Sequence, residues 1–291
     1  MKRIAMTGAA GLLGQHLAAK FSPRARLLCL DNNPSPFEND HNIEYIPVDL
    51  LQVDSWQKAL ERFRPEIIVN CAAYSDVDAC EDNHELADRM NIELVANLLE
   101  YSSARLVHFS SDYVFNGESG PYDENDQPDP INYYGRSKSE SEKLLQNSGR
   151  DYLIIRTNVL YGLAKKVRPN YVTWLVDFLK QHKPVSIVTD QYNNPTYAAN
   201  LAEASIEALD LGLSGILHIG GLNYLSRYEA ALLIAKTLKL DKGLITKSTS
   251  DKLKQKANRP ARGGLKITKA RKILKTKLLG LEDGLKLMYQ R

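Results

Sequence analysis

Short apolar runs rich in Ile, Leu and Val alternate, through the first half of the chain, with segments whose apolar positions recur at helical spacing. The runs predict strands at Arg3–Gly8, Ala25–Asp31, Ile43–Asp49, Pro65–Ala73, Arg105–Ser111 and Tyr152–Asn158. The periodic segments predict helices from about Gly11 to Phe21, Val53 to Phe63, His84 to Ser102 and Ser137 to Gln146. In the His84–Ser102 segment the apolar spacing falls on Leu86, Met90, Leu94 and Leu98. Strands of this composition between helices imply an α/β fold with a parallel sheet covered on both faces. After Asn158 the pattern loosens into the polar connections VRPN, DQYNNPTY and SDKLKQKANRPARGG. The expected division is a nucleotide-binding domain over 1–157 and, over 158–291, a smaller and less regular lobe interleaved with late sheet elements.

At 291 residues, with 43% hydrophobic and 25% charged residues, the chain can bury a sizeable core and has the balance of an ordinary soluble protein. Its net charge of +3 hides an asymmetry. From Lys236 to Arg291 there are 17 lysines and arginines against four acidic residues, so the first 235 residues carry about −10. Such a tail can bind nucleic acid, but no aromatic is interleaved from Ala230 to Met288 and no nucleic-acid motif appears, so no nucleic-acid partner is expected. Solvated helix faces, or a basic wall facing an anionic ligand, remain. Cys29, Cys71 and Cys80 lie in or beside apolar runs without metal-ligand spacing and read as reduced core residues; no metal is expected. With no secretory leader before the first strand and no apolar run of membrane-spanning length, a cytoplasmic location and no membrane partner are expected.

The sequence TGAAGLLG places Gly8, Gly11 and Gly14 between the first strand and its helix. There, one glycine permits the tight turn, another lets the backbone approach a pyrophosphate, and the third allows close helix–strand packing. The backbone N–H groups of the first helical turn, at Leu12 and Leu13, offer the positive end of the helix dipole to the same anion. Asp31 ends the second strand, 17 residues after Gly14. A carboxylate there accepts from ribose hydroxyls and repels a 2′-phosphate, with only Asn32 and Asn33 beside it. NADH or NADPH is therefore the expected cofactor, NADH favoured. Further contacts are expected at other strand ends: Asp49 and Leu50 near the adenine, and Cys71, Ala72 and Ala73 where small residues let the cofactor approach.

Tyr134 and Lys138 stand four apart in NYYGRSK, and so do Tyr161 and Lys165. In a chain with 15 tyrosines the spacing alone decides nothing. A helix beginning near Asn132 or Tyr134 puts Tyr134 and Lys138 on one face, while Tyr133 points about 100° away. There an ammonium and an oxidised nicotinamide favour the phenolate and lower the pKa of Tyr134, making it a usable proton donor. Gly162 interrupts the other pair, and no helical pattern supports a shared face for it. The paired serines Ser110 and Ser111, at the end of the fifth strand, can hydrogen-bond the same substrate oxygen.

Taken together, TGAAGLLG, NCAA, SSDYVFNG, YGRSK and RTNVLYG resemble the extended short-chain dehydrogenase/reductase superfamily. DQYNNPTYA, GILHIGG and RPAR narrow the resemblance to the dTDP-4-dehydrorhamnose reductase family, with the regulatory β subunits of methionine adenosyltransferase as close relatives. The resemblance covers nearly the whole chain. It implies a Rossmann-like, doubly wound domain, a C-terminal nucleotide-sugar lobe, and a catalytic set of Ser111, Tyr134 and Lys138, with Lys138 also a cofactor-ribose ligand. Ser110 stays open as a substitute for Ser111. Expected substrate contacts are Ser111, Asp112, Tyr113 and Asn158, with Arg259 and Arg262 of NRPAR as a clamp for the sugar diphosphate. The implied activity is NAD(P)H-dependent reduction of a 4-keto-6-deoxy nucleotide sugar by a cytoplasmic protein, for which a homodimer is one allowed assembly. Val159 replaces the tryptophan that rhamnose-forming reductases commonly carry after the sixth strand, which leaves the sugar open. Asp112 is followed by Tyr113 rather than Glu, which argues against dehydration. Epimerisation and a non-catalytic regulatory role remain as alternatives.

Overall fold

The structure, a computed structural model, describes residues 1–38 and 40–289. A seven-stranded sheet forms its centre: β1 (Lys2–Thr7), β2 (Ala25–Asp31), β3 (Ile43–Pro47), β4 (Ile67–Asn70), β5 (Arg105–Ser111), β6 (Tyr152–Thr157) and β7 (Gly215–His218). Every pairing is parallel and the order is β3-β2-β1-β4-β5-β6-β7, so the winding reverses between β1 and β4. The crevice at that switch point, outside the carboxyl ends of the strands, is where such sheets bind ligands.

Alternation along the strands sorts side chains to two apolar faces. Ile4, Met6, Leu27, Cys29, Ile67 and Val69 meet α1 (Leu12–Phe21) and the helix Ala198–Asp210. Ala5, Leu28, Leu30, Ile68 and Leu106 meet α2 (Gln57–Phe63), the helix Leu94–Glu100 and the foot of α6 (Tyr133–Asn147). The second half builds its own core, in which Val172, Leu175, Val176 and Leu179 of one helix pack with Ala231, Ile234, Leu281 and Leu285. Its later segments also return to the sheet, since β7 pairs with β6 and Ala270 and Leu274 join the first core.

Several boundaries differ from the sequence reading. The third strand stops at Pro47, and Asp49 instead accepts the N–H of Leu51 in the following turn (3.0 Å). The fourth strand is limited to Ile67–Asn70, so Cys71, Ala72 and Ala73 form the loop beyond it, and β6 ends at Thr157, one residue short of Asn158. The helix expected over Val53 to Phe63 is a 3₁₀ turn, Val53–Ser55, followed by α2. In place of one helix from His84 to Ser102 there are α4 (His84–Asp88), a π turn at Arg89–Glu93 and α5 (Leu94–Glu100), preceded by α3 (Val77–Asp82). The π turn carries Asn91, whose buried amide bonds both backbone groups of Tyr74 (2.9 and 3.1 Å) and the Ser137 hydroxyl (2.9 Å). The expected Ser137–Gln146 helix begins earlier, at Tyr133, because Asn132 caps it by accepting from Gly135 N–H (2.8 Å), a contact of about 1 kcal/mol.

Candidate active site

Gly8 takes a left-handed φ of 67°, and a Cβ there would lie 2.5 Å from the backbone nitrogen of Ala72. At Gly14 a Cβ would lie 2.3 Å from the carbonyl oxygen of Gly8. The turn therefore presses against the loop after β4 with no room for side chains. Gly11, the N-cap of α1, supplies no side-chain cap, which leaves the first N–H groups of the helix, at Leu12 and Leu13, available to an anion. Asp31 is buried and held by three hydrogen bonds: Oδ2 accepts Ala10 N–H (3.0 Å), and Oδ1 accepts the backbone and side-chain N–H groups of Asn33 (2.9 Å each), which leaves Oδ2 room for a further donor. Leu50 is buried beside the exposed Asp49. This cradle fits a dinucleotide, since its shape depends on the missing Cβ atoms and the first N–H groups of α1 have no side-chain cap.

Tyr134 and Lys138 both belong to α6, one turn apart on the same face. Gly135 lets the helix approach the 3₁₀ turn after β5, Asp112–Val114, for a Cβ there would lie 2.0 Å from the Tyr113 carbonyl oxygen. The half-buried Tyr134 ring meets Tyr113 edge-on, with centroids 5.9 Å apart. Burial pushes its phenol above the usual tyrosine range, while a hydrogen bond with Ser111 draws it the other way. The lowering expected from Lys138 is thus not found in the protein alone, because desolvation outweighs it and the Lys138 amine is turned toward His108, 3.1 Å away. Burial likewise pushes Lys138 down to about 8, with Glu142 opposing.

Ser111, rather than Ser110, faces Tyr134. It donates to Asp112 Oδ1 (3.2 Å) and accepts from Tyr113 N–H (3.2 Å), whereas the buried Ser110 hydroxyl has no hydrogen-bond partner among the described residues. Asp112 and Asn158 are brought together but turned inward: Asp112 Oδ2 accepts Asn158 Nδ2–H (3.0 Å) and Gly264 N–H (2.9 Å), and burial raises its carboxyl. They brace the end of β5 to the C-terminal loop. Val159, next in line, is held at φ 41°, a strained conformation for a β-branched residue.

The NRPAR loop reaches the site from far along the chain. Asn258 O accepts from the capping Asn132 (2.8 Å), and Arg259 pairs with Asp78 of α3 (3.0 Å) while also donating to Ala257 O (3.0 Å). Arg259 is therefore largely enclosed, 11% exposed, rather than a free loop arginine. Arg262 is exposed beside Tyr224. Lys256 pairs with Asp82 (2.6 Å), so part of the basic tail meets the acidic helix α3 of the first half.

The remaining tyrosines lie elsewhere. Tyr133 stacks on His84 at 3.7 Å and donates to Asp88 (2.8 Å), holding α6 to α4. Tyr161 is buried in the second core and stacked on Tyr197 at 5.5 Å, while Lys165 is exposed and paired with Glu38 (2.6 Å). Two residues at the site escaped the sequence reading. Arg227 lies over the ring of Tyr171 at 4.8 Å and hydrogen-bonds Tyr113, whose phenol burial raises and Arg227 draws back. His108 sits in the run RLVHFSS, which reads as core strand and gives no local sign of a polar role. The cysteines are unpaired thiols, with Cys29 and Cys80 buried, and no metal-binding cluster occurs among the described residues. No helix among the described residues is long and apolar enough to cross a membrane.

A parallel doubly wound sheet with a glycine cradle at its switch point, beside a Ser–Tyr–Lys set, defines a nicotinamide-dependent oxidoreductase of the extended short-chain type. The chain belongs to the family described as RmlD substrate binding domain, whose model matches residues 1–291. It is 30% identical to the probable low-salt glycan biosynthesis reductase Agl14 of Haloferax volcanii over 286 residues, 96% of this chain and 95% of that one. It is also 30% identical to methionine adenosyltransferase 2 subunit beta of Danio rerio over 279 residues, 92% of this chain and 84% of the relative. Among solved structures, the dTDP-4-dehydrorhamnose reductase of Bacillus anthracis in complex with NADP superposes with a TM-score of 0.86 at 28% identity, covering 100% of this chain and 99% of that one.

Proposed function

We propose that this protein reduces the 4-keto group of a 4-keto-6-deoxy nucleotide sugar, in the manner of dTDP-4-dehydrorhamnose reductase in dTDP-rhamnose formation. The observation that carries this reading is the meeting of Ser111 and Tyr134 at the carboxyl edge of the sheet, with Lys138 one turn along α6, in a chain matched end to end by the reductase family. The dinucleotide pyrophosphate is assigned to Gly8, Gly11, Leu12, Leu13 and Gly14, and the adenosine half to Asp31, Asp49 and Leu50. Cys71, Ala72 and Ala73 wall the cleft. When bound, the reduced nicotinamide supplies the hydride. Ser111 and Tyr134 hold the carbonyl oxygen, and the Tyr134 proton passes to that oxygen as it gains negative charge. Tyr113 lines the sugar site, Asp112 and Asn158 hold its floor, and Arg259 and Arg262 take the diphosphate. NADH is favoured by the charge of Asp31.

In this reading residues 1–157 bind the cofactor and 158–291 mainly the sugar, in a cytoplasmic protein that pairs as a homodimer. The test is oxidation of NADH or NADPH in the presence of a panel of 4-keto-6-deoxy nucleotide sugars, starting with the dTDP form. A second reading, a nucleotide-binding regulatory subunit, is favoured by the similarity to methionine adenosyltransferase 2 subunit beta. Intact cofactor binding without turnover on any sugar of the panel would select it.

A further inference from the structure

After β6 the chain makes a loop from Gly162 to Asn170 whose two ends are tied together. Asn170 Nδ2 donates to Gly162 O (2.8 Å), and Asn170 Oδ1 caps the following helix, Tyr171–Lys180, by accepting Thr173 N–H (3.1 Å). A Cβ on Gly162 would lie 3.4 Å from Leu12 Cδ1, so the loop begins against the first turn of α1. Its middle then leans across the carboxyl edge of the sheet. Gln15 of α1 uses its whole side-chain amide there. The two N–H groups go to Ala10 O in the glycine-rich turn (2.7 Å) and to Lys165 O (2.8 Å), and the oxygen accepts Lys165 N–H (2.9 Å). Lys165 Nζ reaches Glu38 beyond β2 (2.6 Å). Arg168 reaches Ser75 Oγ beyond β4 (2.7 Å), with Asp76 3.9 Å away. The strands β2, β1 and β4 are neighbours around the switch point, and the segment after each of them touches the loop.

The loop, GLAKKVRPN, holds three cations and no acid. Lys165 and Lys166 form its turn, Lys166 with a left-handed φ of 54°, and both are exposed. The carboxylates that meet Lys165 and Arg168 also stand in solvent, and exposed pairs of this kind hold weakly. We propose that residues 163–168 are a cationic clasp for the cofactor, closing over the glycine cradle and setting Lys165, Lys166 and Arg168 against the pyrophosphate. The backbone N–H groups of Leu12 and Leu13 offer only the partial charge of a helix end, and the clasp supplies the full charges that a pyrophosphate calls for. Glu38 and Asp76 hold the same cations while the loop rests. With its ends pinned and its middle held through exposed contacts, the loop lifts to admit or release the cofactor without wider unfolding. The clasp rests on the cofactor placement given above and is independent of which sugar is reduced.

The test needs neither sugar nor turnover. Stopped-flow nicotinamide fluorescence follows release of NADH from the native protein and from three variants. Lys166→Gln combined with Arg168→Gln should release NADH about tenfold faster, the size of one lost charge-assisted hydrogen bond, and its Kd should depend less on salt. Gln15→Leu keeps every cation but unties the loop, and it should speed release as well. Lys2→Gln combined with Arg26→Gln removes the same charge at the amino edge of the sheet and should release NADH as the native protein does. Trypsin gives a second readout, since Lys165 and Lys166 are cleavable only while the loop is lifted. Saturating NADH or ADP-ribose, which share the pyrophosphate, should slow that cut about tenfold, and Gln15→Leu should speed it. Native release rates in both loop variants, or equal acceleration by the amino-edge control, overturn the clasp and leave the cofactor site standing. Failure of the native protein to bind either NADH or NADPH overturns both.

Discussion

The carboxylate of Asp31, at the end of β2, accepts the backbone N–H of Ala10 inside the glycine-rich turn, 3.0 Å away. One side chain thus braces the cradle and, in the cofactor placement proposed above, sets the charge at the ribose end of the cleft. Asp31→Asn keeps an oxygen for Ala10 and removes the charge. The ratio of NADPH to NADH affinity is expected to move about tenfold toward NADPH, roughly 1.4 kcal/mol. Asp31→Ala should instead weaken both cofactors, because the turn loses its brace. Fluorescence titration with each cofactor separates the two effects; an unchanged ratio in Asp31→Asn would assign Asp31 to the turn alone.

Tyr134 and Tyr133 are adjacent and should respond oppositely to the same change. Tyr134→Phe removes the proton donor beside Ser111, so kcat should fall about 100- to 10,000-fold with cofactor Kd nearly unchanged. Tyr133→Phe loses only the bond to Asp88 and should cost about 1 kcal/mol of stability with turnover kept. Near-normal turnover by Tyr134→Phe would rule out the proposed chemistry.

Arg156 of β6 and Glu142 of α6 form a two-pronged ion pair between strand and helix, each side chain 1% exposed. Glu142→Leu leaves the guanidinium buried without its partner and should lower stability by about 3–5 kcal/mol. The urea midpoint should fall with an unchanged slope. A loss below 1 kcal/mol would mean that His218, 3.4 Å from Arg156, and the ring of Phe115 already compensate the charge.

Local demands were legible in the sequence, and contacts made across the chain were not. Gly8 and Gly14 stand out because a turn that admits no Cβ is encoded within a few residues. Tyr134 and Lys138 stand out because a helix beginning near Asn132 puts both on one face, whereas Gly162 interrupts the equally spaced Tyr161 and Lys165. The apolar spacing that joined His84 to Ser102 could not reveal the π turn, since one extra residue moves the register by less than the width of an apolar face. The charge asymmetry was visible, but not that Asp78 and Asp82 answer Arg259 and Lys256. His108 was hidden by its setting, since within β5 it reads as one more interior position; only the fold shows that it meets Lys138.

Arg259 tests whether that long-range pairing serves the loop or the substrate. Its guanidinium is held by Asp78 and Ala257 O, which still leaves it N–H donors for a phosphate oxygen. Arg259→Ala removes both the anchor and the cation, so a rise in substrate KM would by itself be ambiguous. Asp78→Asn loosens the anchor and keeps the cation. If Arg259 holds the diphosphate, Arg259→Ala should raise the KM for a nucleotide sugar about tenfold or more with kcat and cofactor Kd little changed. Asp78→Asn should then move KM only slightly while lowering the melting temperature, because Ala257 N–H also leans on that carboxylate. Equal KM effects from the two variants would make Arg259 a strut of the loop, and the exposed Arg262 would remain as the phosphate ligand to test by the same measurement.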